Sequence, residues 1–358
     1  MKLKRVLACF ALLACFLALP VYADTAKGEP NITPETTIGE IQANPSIQAS
    51  GFSVYCKAES EFPWEKWQTD QTKLKNYVSK YSYNRSAKGL NLLIENVNNG
   101  IQVAYPIYTE GEIAQDKALE EPKLYYFPGD GTKKKYILVV TGNGFTTRGD
   151  LGEGFSTISE LHQMGYPVFL LHYRIFVDAS NNAPLQDLKR AVRYITDNAE
   201  TFDVQTEDYA IVGYSSGGQL AGLFGSEKYG YATENLPKPG ALLLGYPIND
   251  FNEVKVLYHF IMDYAEFHWR YYWTNISSVV TADYPPVYHW YGKKDLMLLA
   301  LNLHQQSPTL ERSLQKYDVP HEYRVFEQAE HGSATGEGTD ADGWLNEAVA
   351  FWEAQTAK

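Results

Sequence analysis

Gly213-Tyr214-Ser215-Ser216-Gly217-Gly218 is the segment of this chain best suited to covalent chemistry. Ser215 sits between glycines two residues away on each side, after the apolar run Tyr209–Gly213 and before a helical stretch, Gly217–Phe224. That context predicts a serine on a tight strand-to-helix turn, with its hydroxyl presented for attack. A serine hydroxyl is a weak nucleophile near neutral pH and needs a base. Of the eight histidines, His162, His172 and His289 have core-like neighbours, His259 and His268 fall in an aromatic segment, His304 lies on a helical stretch and His321 within a strand. His331 remains, in the loop Gln328-Ala329-Glu330-His331-Gly332 just past the last strand pattern. An imidazole base needs an acid to orient it and to stabilise its charged form. Asp295, in Gly292-Lys293-Lys294-Asp295 after the run Val287–Tyr291, fits that role, with Asp283 and Glu327 as weaker substitutes. Thr141-Gly142-Asn143-Gly144-Phe145 follows another strand pattern and offers backbone N–H groups for a developing oxyanion. Gly142, Asn143 and Gly144, together with Ser216 after the nucleophile, are the expected donors. The chemistry is acyl transfer through an acyl-enzyme, and it calls for no cofactor.

The elements that must position these groups form a regular pattern from residue 135 onward. Strand candidates at Tyr136–Val140, Pro167–Leu171, Tyr209–Gly213, Ala241–Tyr246, Val287–Tyr291 and His321–Phe326 alternate with helical stretches near Gly154–Met164, Leu185–Ala199, Gly217–Phe224, Ser307–Tyr317 and Gly343–Thr356. This alternation predicts a mostly parallel sheet with helices on both faces. Each candidate catalytic residue then leaves the carboxyl end of a strand, the edge at which open α/β sheets bind ligands. Residues 35–134 carry enough apolar material to pack, with helical candidates near 36–43 and 71–80, and are read as an extension covering a catalytic domain at 135–358. An insertion at about 250–284 includes Tyr258–Trp273, half of it aromatic, whose place between two core strands predicts a lid or pocket wall.

Composition narrows the function classes. The 358 residues are 44% hydrophobic and 21% charged with a net charge of −12, which suits a globular chain and argues against nucleic acid or an anionic membrane as partner. Residues 1–23 combine a basic start, the apolar run Val6–Leu19 and Val21-Tyr22-Ala23, the pattern of a secretory signal, followed by a flexible tether at 24–34. Export, periplasmic or secreted, is therefore expected; lipid attachment at Cys15 is the minor alternative. The apolar run is too short for a membrane span. Cys56 alone would remain in the processed chain, which excludes an internal disulfide, and there is no HExxH metal motif.

Taken together, these residues resemble the acetyl-esterase and feruloyl-esterase-like, xylan-esterase-like bacterial branch of the α/β-hydrolase superfamily. The resemblance runs through Val139-Val140-Thr141-Gly142-Asn143-Gly144, Gly165-Tyr166-Pro167, Asp187 to Arg190, the serine turn, Gly245-Tyr246-Pro247, Pro285-Pro286 and the closing Gly343-Trp344-Leu345 to Phe351-Trp352. The order Ser215, Asp295, His331 is the order of that superfamily. The resemblance implies an α/β-hydrolase fold and a carboxylesterase acting on small acyl esters, including acetyl groups on carbohydrate. A serine peptidase of the same fold and a silent binding protein are the alternatives. Two departures bear on substrate: Thr141-Gly142-Asn143-Gly144 replaces the His-Gly-Gly-Gly or Pro-Gly-Gly-Gly of many relatives, and Gly332-Ser333-Ala334 follows the histidine where Gly-Phe-Gly is common. Phe145, Trp269 and Trp273 are the expected substrate contacts. The sequence does not define an oligomeric state.

Overall fold

Apolar runs of four to six residues cannot bury themselves alone, and here they pair into one sheet. The computed structural model describes residues 31–55, 63–145, 147–179, 182–250, 275–295 and 302–357, all within one compact unit. Its strands are β1 (Ala104–Pro106), β2 (Lys123–Phe127), β3 (Ile137–Val140), β4 (Val168–His172), β5 (Ala210–Tyr214), β6 (Ala241–Gly245), β7 (Val287–Gly292) and β8 (His321–Phe326). They lie in the order β1-β2-β4-β3-β5-β6-β7-β8. From β4 to β8 neighbouring strands are parallel, and β1 and β2 add an antiparallel edge. The six strand runs expected from the sequence are β3 to β8. β1 and β2 lie before residue 135, so the sheet begins inside the segment expected to be a covering extension. β1 has three residues, too few to show a period, and β2 stands in a polar stretch.

Helices α1 (Tyr83–Asn98), α2 (Phe155–Gln163), α3 (Ala183–Asp197), α4 (Ser215–Phe224), α5 (Leu303–Lys316) and α6 (Trp344–Gln355) are the longer ones. α1 was not anticipated; Leu90, Leu93, Ile94 and Val97 bury one of its faces at helical spacing. Within the region near 71–80, expected as one helix, the helical part is the short helix Leu74–Tyr77, and a separate helix at Pro63–Asp70 precedes it. The central strands β3 to β7 are buried at every position, as a sheet covered on both faces requires. Trp290, Trp344 and Trp352 fill the space between sheet and closing helix. Among the described residues no helix is long and apolar enough to cross a membrane. The expected signal at 1–23, Cys56 and the aromatic segment Tyr258–Trp273 lie outside the described residues.

One buried core histidine should make stability fall in acid. His289 on β7 is fully buried, stacked on Tyr323 with ring centroids 4.6 Å apart, and its Nε2 lies 3.3 Å from a Glu311 oxygen. Burial, which outweighs the Glu311 contact, holds its pKa below the usual histidine value. Below about pH 6.5 the unfolded chain binds this proton and the folded chain does not, so stability falls as pH drops from there toward the folded value. His289→Gln should flatten the decline in Tm between about pH 7.5 and about pH 5. A variant that declines as steeply as the native chain assigns the acid sensitivity to another group.

Candidate active site

Ser215 stands at the junction of β5 and α4 with a φ of 51°. A non-glycine residue in this left-handed region costs on the order of 1–3 kcal/mol, a strain that recurs at functional turns. Gly217 makes the turn sterically feasible, because a side chain there would run into the carbonyls of Val140 and Thr141. The Ser215 side chain is left almost covered, and its Oγ lies 2.9 Å from His331 Nε2. His331 Nδ1 lies 2.9 Å from Asp295 Oδ2. A carboxylate can only accept, so this geometry puts the imidazole proton on Nδ1 and leaves Nε2 to accept from the serine hydroxyl.

The sheet register makes this meeting possible. β5, β7 and β8 deliver Ser215, Asp295 and His331 from their carboxyl ends, and the β3–β5 pairing Val140↔Gly213 sets the turn after β3 beside the serine. The loops are also tied to each other. Lys293 N–H donates to Phe326 O at 2.8 Å and Lys294 N–H to Ala329 O at 3.2 Å, while Gly292 packs so closely on Ala329 that a Cβ would collide with its carbonyl. From the other side, the segment leading into α1 grips the histidine loop: Tyr81 O–H donates to Glu330 at 2.7 Å, Lys80 reaches the same carboxylate at 3.1 Å, and Glu337 N–H donates to Tyr81 O at 3.1 Å. Tyr81 first, then Lys80, holds the Glu330 carboxyl below the usual carboxylate range.

Two of the expected oxyanion donors are already engaged. Gly142 N–H donates to Glu153 Oε2 at 2.6 Å and Gly144 N–H to Ser216 Oγ at 2.9 Å. This corrects the expectation for Gly142 and Gly144: their amides hold the turn's shape. Asn143, between them, is exposed with a φ of 78° and lines the same cavity as His331. Ser216 N–H belongs to the first turn of α4, where amides have no partner within the helix. Phe145 is also corrected. It is fully buried against Tyr173, with ring centroids 6.1 Å apart, and is a core residue. Trp269 and Trp273 lie outside the described residues.

The cavity at His331 measures about 680 Å³. Phe52, Val54, Tyr55, Tyr77 and Val78 form one part of its wall and Arg148 to Glu153 a second. Sequence reasoning missed both walls. The only signal for the second was the run of acids among glycines, Gly149-Asp150-Leu151-Gly152-Glu153-Gly154, just past the oxyanion turn. Arg148 pairs with Glu121 at 2.5 Å, and Asp150 meets His172 Nδ1 and Thr141 Oγ1 at 2.9 and 2.8 Å, so both serve to brace the wall. Burial pushes the Glu153 carboxyl up, against the bond from Gly142 and the one from Tyr246. Among the described residues no group of three His, Cys, Asp or Glu side chains is placed to hold a metal ion.

Residues 123–251 match the model of the BD-FAE family. The structure resembles that of an acetyl ester-xyloside bifunctional hydrolase from Caldicellulosiruptor lactoaceticus, with a TM-score of 0.57 and 21% identity over 70% of this chain and 95% of that one. The chain has the α/β-hydrolase fold. A second α/β-hydrolase-fold neighbour is the carboxylesterase Cest-2923 from Lactobacillus plantarum, at a TM-score of 0.53 and 19% identity over 65% and 92% of the two chains. In sequence the chain is 23% identical over 240 residues to endo-1,4-beta-xylanase B of Butyrivibrio fibrisolvens, a match over 62% of this chain and 36% of that protein. It is 26% identical over 131 residues to the acetylxylan esterase of Xylanibacter ruminicola, over 37% and 26% of the two chains. The chain thus spans about a third or less of the length of these curated relatives.

Proposed function

We propose that the chain is a serine hydrolase of small acyl esters, acting on acetyl groups carried by a carbohydrate. The observation that carries this reading is the unbroken relay Ser215 Oγ, His331 Nε2, His331 Nδ1, Asp295 Oδ2, whose histidine lines a cavity. In the first half-reaction Ser215 Oγ bonds to the acyl carbon and its proton passes to His331 Nε2. The carbonyl oxygen becomes an oxyanion, received by the amides of Ser216 and Asn143. As the carbon–oxygen bond to the alcohol breaks, His331 returns the proton to the departing oxygen and an acyl-serine remains. Water, deprotonated by His331, attacks that ester and restores the serine. The carbohydrate assignment draws on an acetylxylan esterase and an acetyl ester-xyloside hydrolase among the similar proteins, and on the tyrosines of the cavity wall, whose rings suit sugar faces. Export through residues 1–23 belongs to the same reading, with a catalytic unit that takes in the strands at Ala104–Pro106 and Lys123–Phe127 as well as residues 135–358.

A panel of p-nitrophenyl esters of rising chain length, beside acetylated xylan and an aminoacyl anilide, tests it. Acetate should be released from xylan and the shortest esters turned over fastest. Turnover of the anilide alone would make the chain a peptidase. If the tyrosine wall contacts the alcohol, Tyr77→Ala should raise KM for acetylated xylan by about 3- to 30-fold while changing KM for p-nitrophenyl acetate less than about twofold. Equal effects on both substrates would remove Tyr77 from the sugar-binding wall.

A further inference from the structure

Glu153 is a carboxylate almost wholly withdrawn from water, on the cavity wall, and the relay does not use it. Its two oxygens accept from two different parts of the site: Oε2 from Gly142 N–H at 2.6 Å, Oε1 from Tyr246 O–H at 2.9 Å. The Tyr246 hydroxyl oxygen in turn accepts Ala334 N–H at 2.9 Å, and the Tyr246 ring packs at a tilt against the His331 imidazole with centroids 4.8 Å apart. The Ala334 carbonyl is held by the Trp344 indole N–H at 2.9 Å, so both of its backbone polar groups are fixed. Both Tyr246 and Ala334 have positive φ, 38° and 53°, conformations that surrounding bonds must maintain. The chain of bonds Gly142, Glu153, Tyr246, Ala334 therefore crosses from the turn after β3 to the loop after β8, behind the serine.

We infer that Glu153 is a positioning residue: its carboxylate, through Tyr246, holds the oxyanion turn and the histidine loop in register around Ser215. The inference rests on the esterase reading above. Only a carboxylate supplies two acceptor oxygens to donors on opposite sides. An amide in its place turns one of them into a donor facing a donor. Tyr246 is the matching half, because its hydroxyl must donate to Glu153 while accepting from Ala334.

The test is a cycle of Glu153→Gln, Tyr246→Phe and the double variant, with kcat and KM on p-nitrophenyl acetate, Tm on the same samples, and Ser215→Ala as control. Misplacement of catalytic groups by about 1 Å can cost about 100-fold. Each single variant should lower kcat by about 10- to 100-fold with KM within about threefold. The double variant should be no slower than the slower single, since either change breaks the same connection. Full kcat in Tyr246→Phe, which keeps the ring on His331, overturns the inference. So do losses that multiply in the double variant, or a rise in KM in place of a fall in kcat. If Glu153→Gln does not fold, Tyr246→Phe alone decides. A dead Ser215→Ala with Tyr246→Phe at full rate sinks only this inference, whereas an active Ser215→Ala sinks the esterase reading itself.

Discussion

Ser215→Ala should remove ester turnover by roughly four to six powers of ten while the protein stays folded. Among the described residues His331 is the partner of the hydroxyl, so its loss removes one hydrogen bond and leaves the accepting His331 Nε2 without that donor, on an imidazole that lines a cavity. Alanine tolerates a φ of 51° no worse than serine, and Tm should move by only a few degrees, the scale of about 1 kcal/mol. A fluorophosphonate should label the native chain at Ser215 and leave the variant unlabelled. Retained turnover in Ser215→Ala would falsify the assignment of the nucleophile. The neighbouring hydroxyl is a poor substitute: Ser216 is fully buried and its Oγ is occupied by Gly144 N–H.

Asp295→Asn should be nearly as damaging, with kcat lower by about 10⁴-fold and little change in fold. The Asp295 side chain is fully buried, and the oxygen that meets His331 Nδ1 would become an amide nitrogen or be forced to compete with one. An amide N–H at that position stabilises the tautomer with its proton on Nε2, which cannot take the serine proton. The variant protein can be checked by Tm, and by the kcat of a second variant, Asp295→Ala, which should be as slow. A loss smaller than tenfold in both would mean that another carboxylate orients the imidazole. Glu153, a buried acid on the wall of the cavity that His331 lines, would be the first to test.

The legible and illegible parts of this site differ in the range of the forces that set them. Ser215, Asp295 and His331 could be picked out because each follows an apolar run that reads as a strand, and strand ends in a parallel sheet converge on one edge. The structure brings these three side chains into a continuous hydrogen-bond relay. β3 to β7 were legible for the same reason, since each buries every residue and so reads as a largely apolar stretch, whereas β8 is fully buried at none of its positions. β1 and β2 were not, because an antiparallel edge of three and five residues carries little pattern of its own and is stabilised by its neighbour.

The sequence by itself determined the alternation of strands and helices, the strained serine turn and the order of the three candidate catalytic residues. These are local matters of hydrophobic period, glycine placement and chain order. Only the tertiary structure decided which amides of the turn after β3 are spoken for, because Gly142 is claimed by Glu153 eleven residues on and Gly144 by Ser216 seventy-two residues on. It alone decided that Phe145 faces the core and that Phe52, Tyr55 and Tyr77 wall the cavity. It alone tied Tyr81 to the loop of His331, across 249 residues of chain. Hydrogen bonds and apolar contacts act over a few ångströms in space and are indifferent to separation along the chain, so groups brought together by sheet register leave no mark in the spacing of the residues that form them.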